Sequence, residues 1–410
     1  MASSNEVVDE SNAPDAPAAD ASAEDAAADE AAADEAGANN ADAADTEAPK
    51  GPWTEQSILI PEDAITEEYT FATYPADAYT HDDVGADADE LIEMFRSMTL
   101  QRRFEERCRQ QYQKQNISGF LHLYIGQEAV STGSVHGIRL GEDSVITAYR
   151  DHGLGLAMGM EPAPAMAELF GKGTGSSRGK GGSMHFFSEE QRLFGGHGIV
   201  GAHVPVGAGI AFAHKYRGED NVCLCFLGDG AVNQGAFHEA LNLASLYDLP
   251  LVTIIENNQY AMGTAVDRAS SQPDLFKQAL SYDMPSALVS GMDVFSVKKA
   301  VHDHAEMARE GQPSLLEIRT YRYQGHSISD PAAYRKEGEL DDRKSEDAIV
   351  RLQRYMIENG VATEDELDAI DDELKQTVLD AIEFAEESDF PDESELYDHV
   401  YAQEDYRFLN

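Results

Sequence analysis

The segment from Val222 to Asn258 limits what this chain can fold into more than any other. Two short, almost wholly apolar runs, Val222–Leu227 and Leu251–Ile255, bracket a stretch in which Phe237, Ala240, Leu241 and Ala244 recur at helical spacing. An unbroken apolar run of strand length fits a strand buried on both faces, and such strands belong to parallel sheets covered by helices. The order strand, helix, strand is then a parallel crossover unit, which makes the chain an α/β protein with a parallel sheet and helices on both faces. Ser314–Thr320 supplies a further strand. Upstream, Leu91, Met94, Phe95 and Met98 mark one face of a long amphipathic helix over about 87–116. Downstream, Thr363 and Glu366 form a capping box, followed by Leu367, Ile370, Leu374 and Val378 on one helical face.

Around this centre the composition changes. Residues 1–50 are almost entirely Ala, Asp, Glu, Ser and Asn. They cannot bury enough apolar surface to offset their ordering entropy, so they read as a disordered acidic tail. Residues 51–86 mix aromatics with turn residues and read as an irregular N-terminal arm; 87–340 form the α/β domain and 341–410 a helical C-terminal region. The net charge is −46, from 76 Asp and Glu against 30 Lys and Arg. The tail holds 14 acids and one base, Lys50, so −46 less −13 leaves −33 for the rest. Such self-repulsion disfavours a compact state in dilute buffer, whereas at molar salt the Debye length falls to roughly 3 Å and screens it. A salt-rich cytoplasm is the simplest setting; a mesophilic protein with an acidic surface is the plainer alternative. Either surface repels nucleic acid phosphates. The cysteines Cys108, Cys223 and Cys225 suggest buried thiols rather than disulfides or a zinc site. No run approaches the ~20 apolar residues of a membrane span, and the N-terminus has no apolar signal core, so a soluble cytoplasmic protein is expected.

The chemistry concentrates at the ends of the two central strands. Gly228-Asp229-Gly230-Ala231 follows the first, and Glu256-Asn257-Asn258 ends the second. Glycines let backbone approach a phosphate, and a following helix offers free amides to an anion. Taken apart, the two runs are an ordinary turn and an ordinary strand end. Together, Asp229 and Asn258, 29 positions apart at one edge of neighbouring parallel strands, offer a carboxylate and an amide oxygen to a hard cation such as Mg²⁺, which combines few protein oxygens with waters and phosphates. The run Gly175–Gly181 invites a phosphate-loop reading, but three residues separate Gly175 from Gly179 and Gly181 follows Lys180, so the Walker spacing fails. It reads instead as a flexible wall of a channel.

The stretch Gly228–Asn258 resembles the thiamine-diphosphate motif, and the chain is similar to the α subunits of the 2-oxo acid dehydrogenase family. The resemblance runs from about Arg102 to Arg335. It includes Gly119-Phe120-Leu121-His122 with Gly126-Gln127-Glu128, Thr147-Ala148-Tyr149-Arg150-Asp151-His152-Gly153, Gly179-Lys180-Gly181-Gly182-Ser183-Met184-His185, Gly198-Ile199-Val200-Gly201-Ala202 and Tyr321-Arg322-Tyr323-Gln324-Gly325-His326-Ser327. It is loose beyond about 340, and the acidic tail has no counterpart. The resemblance implies that Asp229, Asn258 and the carbonyl of Tyr260 hold Mg²⁺ and that Gly230 and Ala231 approach the diphosphate. Tyr149 and Arg150 would contact the phosphates from the other side, and a guanidinium fork suits phosphate oxygens. Gly198 and Val200 would bind the aminopyrimidine ring by their backbone. His122 and His326 would be the imidazoles beside the reacting carbon, with His326 also touching the cofactor; imidazoles suit proton delivery near neutral pH. His152 and His185 are borderline.

By the same resemblance the chain is half of an enzyme that decarboxylates a 2-oxo acid and passes the acyl unit reductively to the lipoyl domain of a dihydrolipoyl acyltransferase. The cofactor carries the hard chemistry. A β subunit is expected to supply the activating glutamate and the opposite pocket wall in an α2β2 heterotetramer. Among substrates, Gly325-His326-Ser327-Ile328-Ser329-Asp330-Pro331 looks closest to pyruvate members; branched-chain 2-oxo acids come next, then acetoin. A catalytically silent scaffold subunit is the rival from another class, and the presence of Asp229, Asn258, His122 and His326 argues against it.

Overall fold

Strand β4 (Cys223–Gly228) and strand β5 (Leu251–Asn257) lie side by side and parallel, in register from Cys223 opposite Leu251 to Gly228 opposite Glu256. The computed structural model describes residues 71–398 and residue 400. The expected tail, 1–50, and residues 51–70 of the expected arm lie outside the described residues.

Around β4 and β5 a seven-stranded, all-parallel sheet is built from β1 (Ala72–Tyr74), β2 (Ser144–Ala148), β3 (Leu193–His197), β8 (Ser286–Ser290) and β9 (Ser314–Arg319), in the order β1-β8-β9-β5-β4-β2-β3. A separate antiparallel pair, β6 (Tyr260–Ala261) and β7 (Thr264–Ala265), follows β5. The alternation hidden inside the apolar runs divides the core. Leu224, Phe226, Val252, Ile254, Leu316 and Ile318 pack on one face with helix Val294–Arg309. Cys223, Cys225, Leu227, Leu251 and Ile255 pack on the other with helices His203–Arg217 and Gly235–Leu246. All three cysteines are buried thiols. Burial of both faces is what a parallel sheet requires.

The long helix spans Ala88–Gln113, capped by Asp87, whose side chain accepts from the amide of Glu90. Its apolar stripe, Leu91, Met94, Phe95 and Met98, meets Leu352 and Met356 of helix Ala348–Glu358. Helix Glu364–Glu387 opens with the expected capping box, Thr363 and Glu366 bonding reciprocally. Arg103 reaches it, 2.6 Å from Asp371. The arm read as irregular contributes an edge strand, since Ala72–Tyr74 pairs with Ala287–Val289. Three residues are too few to show a period. Among the described residues, no helix is long and apolar enough to cross a membrane.

This topology places the site. From β2 the chain moves outward to β3 and then returns to β4 on the other side of β2. Connections leaving β2 and β4 therefore diverge, and a crevice opens at their carboxyl ends, where open parallel sheets hold ligands.

Candidate active site

Arg150 follows β2 and is buried. Its Nη1 donates to the carbonyl of Leu123 at 2.6 Å and its Nη2 to the carbonyl of His326 at 2.9 Å. Burial, then the nearby Arg322 guanidinium, pulls it down to about 10, still charged at neutral pH. Arg322, after β9, is also buried. It donates from Nε to the carbonyl of Gln324, from Nη1 to the carbonyl of Tyr260 at 3.0 Å and more weakly to Asn258 Oδ1 at 3.5 Å, and from Nη2 to the carbonyl of Met262 and the hydroxyl of Tyr334. Neither guanidinium is ion-paired with a carboxylate among the described residues. Arg322 was missed as a site residue, although it stands in the Tyr321–Ser327 run at the end of a central strand.

Asp229 begins the 3₁₀ turn Asp229–Asn233 that follows β4. It is buried without an ion pair among the described residues, and burial pushes its carboxyl up to about 6. Glu256, at the end of β5, is pushed up to about 7 by burial. The crevice thus holds two guanidiniums beside two carboxyls that burial makes harder to ionise. In a chain of net charge −46, this is a buried pocket with an excess of positive charge.

Asn258 donates from Nδ2 to Gln127 Oε1 at 2.8 Å, which fixes the amide and leaves Oδ1 toward the crevice side where Arg322 lies. Gln259 and Met262 adopt positive φ, 78° and 53°, and turn the chain so that the carbonyls of Tyr260 and Met262 both reach Arg322. Gly230 also has a packing role. A Cβ there would lie 2.4 Å from Cβ of Ala261, so glycine lets the β6–β7 pair close over the turn. Ala231 is buried beside it.

His122, His326 and Tyr149 form an aromatic cluster. The imidazole centroids are 5.2 Å apart, and Tyr149 lies 4.7 Å from His122 and 5.8 Å from His326. Burial and then the Arg150 charge hold His122 down at about 3 and His326 at about 4. Both rings are neutral at physiological pH, and His122 Nδ1 has no hydrogen-bond partner among the described residues. The backbone amide of His326 donates to Asp330 Oδ2 at 2.6 Å. Gly198 and Val200 follow β3 and are not drawn into this cluster. Their turn is tied to the Asp229 turn instead, since a Cβ on Gly201 would lie 2.9 Å from Gln234.

The two borderline histidines have structural partners. His152 is fully buried, with Nδ1 3.1 Å from Glu105 Oε1 and Nε2 3.0 Å from Ser183 Oγ. Burial pulls it down, but the Glu105 carboxylate outweighs this and raises it. His185 Nδ1 lies 3.0 Å from the carbonyl of Gly196.

The glycine-rich run is pinned, which corrects the expectation of a flexible wall. Glu168, buried in helix Pro162–Leu169, accepts four backbone amides: Ser177 and Gly179 at 2.8 Å on Oε2, Gly181 at 2.7 Å and Gly182 at 3.0 Å on Oε1. From outside, Lys172 donates to the carbonyl of Ser388 and Arg178 pairs with Glu395 at 2.8 Å. The loop leads to Ser183, whose Oγ accepts from the amide of His122 at 3.4 Å.

Comparison with known proteins agrees with this geometry. A family profile described as "Dehydrogenase E1 component" matches residues 96–394. A Rickettsia bellii protein named "Pyruvate dehydrogenase E1 component subunit alpha" is 48% identical over 315 residues, covering 77% of this chain and 96% of its own. A Rhizobium meliloti protein of the same name is 50% identical, covering 76% and 90%. The rice protein "Pyruvate dehydrogenase E1 component subunit alpha-3, chloroplastic" is 43% identical, covering 77% and 76%. With a buried cationic crevice at the switch point of a parallel sheet and a family match across most of its length, the chain belongs to the dehydrogenase E1 component family.

Proposed function

We propose that the chain is the α subunit of a pyruvate dehydrogenase E1 component, which binds thiamine diphosphate and Mg²⁺, decarboxylates pyruvate and acylates the lipoyl domain of an acyltransferase partner. The carrying observation is the crevice itself: two buried guanidiniums without carboxylate partners beside a buried carboxylate without a cation. A diphosphate and a hard cation would compensate all three at once. The residues therefore fit the group. Arg150 and Arg322, with Tyr149, would hold the phosphates; Asp229, Asn258 Oδ1 and the carbonyl of Tyr260 would hold Mg²⁺; Gly230 and Ala231 would line the diphosphate. Gly198 and Val200 would meet the pyrimidine through their backbone.

Thiamine diphosphate, when bound, supplies the carbon nucleophile and electron sink for decarboxylation. The chain's part is proton handling and placement. His122 and His326, neutral and in ring contact with Tyr149, can each accept a proton from a reacting oxygen and return it. A β subunit in an α2β2 heterotetramer would complete the pocket, in the cytoplasm of a salt-adapted cell. Branched-chain 2-oxo acids remain the second reading of the substrate. The test is to co-purify the chain with its native β partner and assay pyruvate, branched-chain 2-oxo acids and acetoin; turnover restricted to the last two would reject pyruvate. In calorimetry at fixed Mg²⁺, Asp229→Ala should weaken thiamine diphosphate binding at least tenfold, roughly 1.4 kcal/mol. Unchanged affinity in a folded variant rejects the metal assignment.

A further inference from the structure

We propose that Glu105, His152 and Ser183 are positioning residues for His122, joined in a closed circuit of buried hydrogen bonds that fixes the backbone carrying this imidazole; the reading rests on the role of His122 proposed above. The first observation is what His122 lacks. Residues 120–124 belong to neither a helix nor a strand, so no backbone ladder sets where the side chain stands. A buried irregular segment keeps one geometry only when its polar groups find partners elsewhere. Here the amide of His122 donates to Ser183 Oγ at 3.4 Å, and the amide of Tyr124, two residues on, donates to Glu105 Oε1 at 2.7 Å. Between them Arg150 holds the carbonyl of Leu123.

The second observation is that the two holders are themselves joined. His152 spans them, with Nδ1 3.1 Å from each Glu105 carboxylate oxygen and Nε2 3.0 Å from both the carbonyl and Oγ of Ser183. The path from the His122 amide through Ser183, His152 and Glu105 to the Tyr124 amide therefore closes on itself. It gathers helix Ala88–Gln113, the start of helix His152–Ala157 and the 3₁₀ turn Gly182–Met184 around one short segment. Packing fixes its middle. The His152 ring lies 5.0 Å from Phe186 and 6.3 Å from Phe104, centroid to centroid, and a Cβ on Gly153 would come within 2.2 Å of the Tyr124 ring.

The third observation is charge. Nδ1 faces a carboxylate and Nε2 faces a carbonyl, so the imidazole serves both only with a proton on each nitrogen. Burial opposes that charge, but Glu105 outweighs it and holds the ring above its ordinary value. The order carboxylate, imidazole, hydroxyl is also that of a hydrolase triad, yet a ring that donates Nε2–H to Ser183 cannot take the serine's proton. Replacing a buried ion pair by apolar groups is often neutral or stabilising, so stability alone gives no reason for one here. Holding His122 does.

The test uses the full chain co-expressed with its native β subunit in 3 M KCl. Ser183→Ala removes an acceptor; Glu105→Gln leaves Tyr124 its acceptor but takes away the charge that puts a proton on Nε2. Each should lower kcat about tenfold through a displaced His122, while KM for pyruvate and thiamine diphosphate affinity in calorimetry stay within about threefold. Because both cut the same circuit, the double variant should also lose about tenfold rather than about a hundredfold. If Glu105→Gln does not fold, His152→Asn, which keeps a donor near the place of Nδ1 and loses Nε2, replaces it in the cycle. Hydrogen exchange reads the circuit without turnover, and the peptide covering 120–125 should exchange about tenfold faster in each variant than in the wild type. Unchanged kcat in folded single variants, losses that multiply in the double variant, or cofactor affinity that falls in step with kcat overturns the proposal. If the wild type turns over no 2-oxo acid, the proposed function fails, and exchange alone decides whether the circuit holds this segment: faster exchange supports it and unchanged exchange overturns it.

Discussion

Glu168→Gln is the most exposing perturbation this structure offers. The carboxylate accepts two amides on each oxygen, at 2.7–3.0 Å. A glutamine keeps one acceptor oxygen and turns an NH₂ group toward the other two amides, which then face a donor. Hydrogen bonds to a charged group contribute about 1.5–3 kcal/mol each, and a buried donor left unpaired costs about 1–3 kcal/mol. Two lost bonds therefore cost roughly 3–6 kcal/mol if the loop is held in place. The run 171–182 lies at the surface, so it can instead release into water and cap the global loss at the cost of local opening. We expect urea unfolding at fixed 3 M KCl to show a loss of about 2 kcal/mol or more. Trypsin should cut at Lys172, Arg178 or Lys180 well before the variant unfolds globally, while the wild type is spared. Because the loop carries Ser183 under the amide of His122, turnover with the β subunit should fall as well. A stability change within about 0.5 kcal/mol together with wild-type resistance to trypsin would refute the reasoning.

The other predictions are narrower. His326→Ala should cut turnover about 100-fold or more while thiamine diphosphate affinity changes little, since a proton-transfer role is exerted in the transition state; loss of binding with turnover kept at saturating cofactor would contradict it. A chain shortened to begin at Gly51 keeps a net charge of −33, so its melting temperature should still climb between 0.1 and 3 M KCl, and a flat or falling series would count against a salt-adapted fold. His203 is fully buried and held by burial at about 4, below its ordinary 6.5, so its stabilising contribution is present above pH 6.5 and lost as pH falls through 4. His203→Gln can still donate to the carbonyl of Phe226 but removes this titration. The stability gap between wild type and variant should therefore shrink by up to about 3 kcal/mol from pH 7 to pH 4. A constant gap in urea titrations would show that the ring does not titrate as described.

Much of this was legible in the residues because the signals were local. The apolar runs at 222–227 and 251–255 located β4 and β5 to within two residues, and Thr363 with Glu366 located a helix start. Asp229 and Asn258 could be named because each stands at the end of a strand whose position the pattern gives, whereas Arg150 follows a strand the pattern did not mark and was named from the family resemblance of its run. What escaped depended on distance. Glu168 binds amides 9 to 14 positions ahead of it, so a run of glycines that looked mobile is clamped by a residue no local pattern links to it. Arg322 meets Asn258 and Tyr260 across more than sixty positions. His152, borderline in the sequence, has its partner in Glu105 on the long helix, 47 positions earlier.

The position of β1 at the sheet's edge sets an order of events during synthesis. Ala72 pairs with Ala287, which leaves the ribosome 215 positions later. At about 5–20 residues per second, Ala72–Tyr74 waits roughly 10–40 s for a partner to exist. Every other described strand of the main sheet has a neighbour closer along the chain, so β1, the first of the described strands to be made, cannot be paired before β8. Until it docks, the outer edge of β8 is open to strands of other nascent chains, and conditions that slow this last step should raise the yield of aggregate rather than of soluble misfolded monomer.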